Sequence, residues 1–403
     1  MSVAVEAGGQ PARGDWRVAR VETYIVTVPR TTPYLGPLGP GESVNARGYI
    51  VRRGNGAIYP TVDRSVVVKV TAANGCVGWG ETYGICAPRA TCEIVNDLLA
   101  PVLDGRDPED VEALWDELYG LMRVRGSFGG HYVDAIAALD IALWDLRAQA
   151  RGVPLRALLG PVRREEVPGY LSGLPGATIE ARVAMALDWH RRGVRSFKFA
   201  GVVSHEGIAE EFNALREALG DDVDLMVDLH WKFDAPEAIA LAERLAPCRP
   251  RFIEAPVKPE DIAGLRAVCA ASPVPVAAGE EWGTAYEARH RLEPASVRYL
   301  QPEMGHTGVT QFLRIAAMGE AGGAELAPHA TIGVGIFLAA SLHASCVAGR
   351  FWKHEWQHSI FERCLRLLTT DMTYHDGRYW PPSGPGLGVS PSPAFMAHAE
   401  LVT

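Results

Sequence analysis

The sequence predicts a (β/α)8 barrel preceded by an α+β domain. Three observations carry this reading. Short apolar or β-branched runs alternate with amphipathic helical segments from about Val167 to Glu362. Three of those runs end in an acid, Asp228 in LMVDLH, Glu254 in RFIEAP and Glu280 in PVAAGE, and each follows the last by 26 residues, the length of one strand-plus-helix unit. The beat extends to Lys198 in RSFKFA on one side and to Glu303, His329 and Glu355 on the other. Polar residues at seven successive strand ends describe a site at the C-terminal face of a barrel.

Residues 1–15 form a polar lead-in predicted to be disordered, without the basic start and apolar run of a signal peptide. From Trp16 the pattern is strand (RVARVETYIVTV), long insert, strand (RSVVVKVTA) and, after the Asn74-Gly75 turn signal, a third strand in NGCVGWGE. VEALWDELYGLM and DAIAALDIALWDL carry apolar residues at helical spacing and complete an α+β unit through residue 160. The insert, residues 31–63, is far longer than the roughly 4–6 residues of an ordinary connection. Rich in Gly and Pro, with Arg47, Arg52 and Arg53 clustered in it, it is expected to be an active-site lid. Arg47 and Arg52 are its candidate contacts to an anionic substrate.

The barrel is expected over residues 161–362. Its first helix has Thr178 to cap it and Gly193 to stop it. The tail, residues 363–403, shows little periodicity.

With 48% hydrophobic and 22% charged residues, the 403-residue chain has a soluble globular composition. A net charge of −9 argues against nucleic acid as a partner. The apolar stretch Ala135–Trp144 is interrupted by Asp140 and is too short to cross a bilayer, so no membrane partner is expected. Seven cysteines without metal-finger spacing read as reduced thiols in a cytoplasmic protein.

A lone acid after a strand is ordinarily a helix cap or a solvated loop residue. Equal registration at three successive strand ends is not explained that way. Asp228, Glu254 and Glu280 would make an all-oxygen pocket suited to a hard cation such as Mg²⁺.

At this point the chain resembles a known family. VDLH with Asp228, IEAPV with Glu254, GEEW with Glu280 and Trp282, QPEMGHTGVT, APHATIG with His329 and the helix from Asp134 to Gly160 occur in order. GWGET around Glu81 and SGPGLGV from Ser383 complete the set. Together they resemble the enolase superfamily, and within it the mandelate racemase subgroup, from about Trp16 to Leu401. The resemblance implies that residues 16–160 and 363–403 form one discontinuous capping domain. It further implies that the insert helps choose the substrate, that Trp282 is a substrate contact, and that the chain forms homo-oligomers.

The chemistry such a site performs is removal of a proton next to a carboxylate. The resulting dianion is expensive, and a divalent cation supplies several kcal/mol of charge stabilisation directly. Three carboxylates against one such ion leave a net negative charge, so Lys198 is expected to help hold an anionic substrate. His329 is the candidate general base, with Glu303 holding its far ring nitrogen. Glu355 matches the subgroup acid that donates to the enediolate when protonated. That role needs a carboxyl pKa raised by burial, in the apolar setting of Phe351, Trp352 and Trp356.

Two departures from the subgroup pattern bear on the reaction. Glu303 stands where the subgroup has Asp. Lys198-Phe199-Ala200 stands where a Lys-x-Lys pair is common, so a base is missing from the second face. The expected activity is therefore Mg²⁺-dependent dehydration of a small anionic sugar acid to a 2-keto-3-deoxy acid. His230, Tyr170 or His329 itself is the candidate acid for the leaving hydroxyl. YLGPLGPGE and HEWQHSIFE resemble galactarate dehydratases of the subgroup. The alternatives are a racemase or epimerase using His329 with Tyr170 or Lys198, and a sugar-acid binder that would need none of Lys198, Glu303 and His329.

Overall fold

The computed structural model describes residues 14–292, 297–330 and 333–403, so most of the predicted lead-in lies outside it. Strands Val18–Val28, Asp63–Ala72 and Val77–Tyr83 pair antiparallel, and the C-terminal strand Ala399–Val402 adds to the free side of the first. The helix His131–Arg151 lies across this sheet with 16 of its residues buried, which is why its apolar positions run all round. Gly78 and Gly80 permit that approach. A Cβ built at Gly80 would stand 1.8 Å from the carbonyl oxygen of Ala138.

Eight parallel strands follow: Val167–Ser172, Ser196–Ala200, Asp224–Asp228, Ile253–Glu254, Val276–Ala278, Tyr299–Leu300, Glu325–Leu326 and His354–Gln357. The eighth pairs with the first, Glu355 opposite Tyr170, and Leu326 bridges to Phe351 between the seventh and eighth, so the barrel closes. Helices connect these strands, and several of them carry a side-chain cap at the start. Thr178, Asp234, Asp261 and Thr284 each accept from a backbone N–H in the first turn, and Asp234 with Glu237 forms a full capping box. Inside the barrel, Tyr170, Met226, Phe252, Tyr299 and Trp352 pack into an apolar floor.

Buried acids fasten the two parts together. Glu81 accepts from the N–H groups of Val334, Gly335, Ile336 and Phe337, the start of the helix Ile336–Val347 that follows the seventh strand. Asp140 accepts from the backbone N–H and the hydroxyl of Thr310 on helix Met304–Ala321. Asp145 accepts from Trp79 N–H in the sheet and Leu387 N–H in the tail.

The tail adds strand Ala399–Val402 to the capping sheet and also reaches the barrel. It makes a hairpin, Thr373–His375 with Arg378–Trp380, that pairs antiparallel with the first barrel strand, and a second pair, Leu368–Thr370 with Val389–Pro391. Strands of three residues are too short to show a period. Among the described residues no helix is long and apolar enough to cross a membrane.

Candidate active site

Because every barrel strand points the same way, the polar residues that end them meet at one mouth. A cavity of about 350 Å³ lies there, bordered by Lys198, Asp228, His230, Glu280, His329 and Glu355 from the barrel and by Tyr34, Leu35, Ile58 and Tyr59 from the insert. Lys198 Nζ sits 2.5 Å from Glu254 Oε1 and 3.0 Å from Glu355 Oε1. Gln301 donates to the other Glu254 oxygen at 2.6 Å.

His329 Nδ1 is 2.8 Å from Glu303 Oε2, and its Nε2 lies 3.4 Å from Glu280 and 3.6 Å from Glu355. Glu303 is itself fixed: Gly305 N–H donates to Oε1 and Tyr83 O–H to Oε2, both at 3.0 Å. Burial alone would favour neutral His329, but Glu355 and Glu303 outweigh it and raise its pKa.

Asp228 and Glu254 are direct neighbours across the third and fourth strands, and Glu280 follows on the fifth. Burial, then the charges of Asp228 and Glu254, push the Glu280 carboxyl well above the usual range. Its Oε2 is buried without a hydrogen-bond partner among the described residues. Crowded anionic oxygens with an orphaned lone pair are the donor set a hard divalent cation satisfies. The tightest group of possible ligand atoms among the described residues is Glu254, Glu280 and His329, all within 4.8 Å of one another. Asp228 is not in that group; its Oδ1 accepts from His230 N–H at 2.8 Å and faces the His230 ring nitrogen at 3.1 Å.

Two domain models match the chain, the mandelate racemase/muconate lactonizing enzyme N-terminal domain over residues 60–160 and the enolase C-terminal domain-like model over residues 181–395. The chain belongs to the mandelate racemase subgroup of the enolase superfamily. A D-galactonate dehydratase from Pectobacterium atrosepticum is 32% identical over 347 residues, 82% of this chain and 90% of that one. A candidate isomerase from Sinorhizobium meliloti superposes with a TM-score of 0.94 at 50% identity, over 96% of this chain and all of the other. A racemase from Streptomyces coelicolor with bound magnesium superposes with a TM-score of 0.82 at 26% identity, over 95% of this chain and all of that one.

Within this enolase-superfamily frame, several residues named from the sequence take other places. Tyr170 is fully buried in the barrel floor, stacked on Trp352, its ring centroid 5.7 Å from Lys198 Nζ, and it does not border the cavity. Arg52 is also fully buried. Its guanidinium donates to Glu42 and to the carbonyls of Tyr34, Gly36 and Pro37, so it holds the lid together from within. Arg47 is exposed and does not reach the cavity. Trp282 is fully buried under Arg291 and donates to Glu281.

The surroundings of Glu355 oppose the protonation expected of it. Burial raises its pKa, but Lys198 and His329, helped by Ser172 and Ala330 N–H, overcome that and lower it. Glu355 Oε1 lies 3.0 Å from Lys198 Nζ, and its Oε2 accepts from Ala330 N–H. Of the aromatic setting expected around it, Trp352 belongs to the floor, while Trp356 stacks on Tyr374 and Phe351 lies beneath Arg164.

The insert covers the mouth without its arginines. It contains a short hairpin, Tyr49–Val51 with Ile58–Pro60, and Asn55 donates to the carbonyl of His230 at 3.2 Å. The cavity also has a wall the sequence reading missed, built by Tyr83 and Asp134 of the capping domain with Glu281 and His306 of the barrel. His306 stands inside the QPEMGHTGVT motif, three residues beyond Glu303, and its presence there was the available signal.

Proposed function

We propose that this enolase-superfamily chain is a Mg²⁺-dependent dehydratase of a sugar acid, removing the proton α to the carboxylate and eliminating the β-hydroxyl. The observation that carries the reading is the His329–Glu303 pair at 2.8 Å, with Nε2 turned to the cavity. The D-galactonate dehydratase name of relatives about a third identical supports the reaction class. Held by Asp228, Glu254 and Glu280, Mg²⁺ would neutralise the substrate carboxylate and the charge that develops on it.

The chain's own residues account for the proton steps. Glu303 keeps His329 oriented, so that Nε2 takes the α-proton. Lys198 supplies a fixed positive charge beside the acids. The third and seventh strands of an eight-stranded barrel lie diametrically opposite, so His230 faces His329 across the cavity. With Nδ1 held against Asp228, His230 presents its other ring nitrogen to the leaving hydroxyl. As the α-C–H pair becomes a C=C bond, the β-C–O bond breaks, the oxygen takes the His230 proton, and water departs. The enol then gains a proton at the former β-carbon and loses its hydroxyl proton to become the 2-keto-3-deoxy acid.

The second reading is an epimerase, which the isomerase name of the half-identical Sinorhizobium meliloti protein favours. It would use the same two histidines as opposed bases. Incubating the protein and Mg²⁺ with a panel of aldonic and aldaric acids in D₂O separates the two. Accumulating keto acid supports the dehydratase; α-deuterium with no keto acid supports the epimerase.

A further inference from the structure

The cavity extends past the acids at the strand ends to the wall that the capping domain and barrel share. There Asp134, in the first turn of helix His131–Arg151, meets His306, in the first turn of helix Met304–Ala321. Asp134 Oδ1 is 2.6 Å from His306 Nδ1, and the imidazole is stacked flat on Tyr83 with ring centroids 4.1 Å apart. The stack and the ion pair leave the ring no freedom to turn. Its Nε2 and the Asp134 Oδ2 carry no hydrogen bond to another described residue, and neither is sealed from the cavity their side chains border. With Nδ1–H donating to Asp134, Nε2 accepts in the neutral ring and donates in the imidazolium, so beside Asp134 Oδ2 it can pair with a hydroxyl group.

The charges on this wall decide what else it accepts. Lys198 is the one Lys or Arg among the described residues that border the cavity, and it is committed to Glu254 and Glu355. Any positive charge on His306 is cancelled by Asp134 at contact distance. Glu281 adds a carboxylate to the same wall, with Oε2 buried and unpartnered among the described residues. The lid lends only apolar and phenolic groups, because Arg52 is turned inward and Arg47 outward. A second substrate carboxylate at this end would meet the Glu281 carboxyl and an already self-neutralised Asp134–His306 pair, with no Lys or Arg to balance it.

We infer that Asp134 and His306 read the tail of the substrate, and that the substrate is a monocarboxylate with an uncharged hydroxylated tail, not a diacid. This rests on the dehydratase reading and narrows its substrate class. It sets aside the galactarate resemblance of the YLGPLGPGE and HEWQHSIFE segments, since that acid carries a carboxylate at both ends.

The test compares kcat/KM for aldonic acids and for the aldaric acids of matching stereochemistry, with wild-type protein, Asp134→Asn and Glu281→Gln. Wild type should prefer the monoacid at least tenfold. Either variant, whichever folds with the wild-type circular dichroism spectrum, should narrow that ratio several-fold, chiefly by lowering KM for the diacid. Asp134→Asn should also raise KM for the monoacid. Equal or better turnover of the diacid by wild type would overturn the inference while leaving the dehydratase reading intact, as would an unchanged ratio in both variants. Turnover of neither class would instead sink the dehydratase reading itself.

Discussion

Glu303 Oε2 receives two partners at once, the Tyr83 hydroxyl at 3.0 Å and His329 Nδ1 at 2.8 Å, so a residue of the capping domain steadies the partner of the proposed base. Glu303 also caps the helix Met304–Ala321 through Gly305 N–H. With Glu303 where the subgroup has Asp, the carboxylate still reaches His329 Nδ1 at 2.8 Å. Glu303→Gln should keep the cap but lose the charged partner of His329. Turnover should fall by less than in His329→Asn, with melting temperature close to wild type. Steady-state kinetics and thermal melts on both variants check the ordering.

The crowding of Asp228, Glu254 and Glu280 makes a prediction about stability as well as activity. Burial and mutual repulsion raise the carboxyl pKa values of Glu254 and Glu280, and a divalent ion would relieve both. Adding Mg²⁺ to chelator-treated protein should raise its melting temperature in a saturable way and restore turnover better than Ca²⁺ does. Glu280→Gln should abolish the Mg²⁺-dependent rise. Full activity in the presence of chelator would contradict the metal assignment.

The two lid arginines should behave in opposite ways. Arg52→Ala leaves Glu42 buried without its partner and frees three backbone carbonyls, a change of the kind that costs about 3–5 kcal/mol. A lower melting temperature and a raised KM are expected, since the same loop carries Tyr34 and Tyr59 to the cavity. Arg47→Ala should alter neither, and a large rise in KM in that variant would restore Arg47 as a substrate contact.

Much of the barrel was legible because a strand-plus-helix unit has a fixed length and its functional residue a fixed place at the strand end. The reading of Lys198, Asp228, Glu254, Glu280, Glu303, His329 and Glu355 as one cluster needed only that register. What register cannot supply is direction and depth. Tyr170 lies on an inward position like the others but one layer lower, and Arg52 looks like any surface lid arginine until the loop folds round it. The charge state of Glu355 depends on Lys198 being 3.0 Å away, a distance no spacing encodes. Asp134 was missed because it starts a helix of another domain, where an acid in the first turn is unremarkable.

The buried acids at the domain junction should give a pH signature separate from catalysis. Burial pushes Asp140 up to about 7 from an ordinary 3.8, against the opposing pull of its Thr310 hydrogen bonds. The folded state thus holds this proton more tightly than the unfolded chain. The stability it contributes is complete below about pH 3.8 and is lost as pH rises toward 7. Asp140→Asn, a neutral mimic, should gain stability relative to wild type between pH 5 and about pH 7.5. A melting-temperature difference that stays flat or shrinks over that range would contradict the assignment.

The proposed reaction turns on His329 as the base, and the most direct measurement is exchange of the substrate α-proton in D₂O, followed by ¹H NMR, for wild type and His329→Asn with Mg²⁺ and a sugar acid that the wild type consumes. Loss of a general base should lower the rate by roughly 10²–10⁴-fold, with α-deuterium and keto acid both disappearing in the variant. Exchange at the wild-type rate in His329→Asn would contradict the account and move the base to the opposite face of the cavity, at His230 or Lys198.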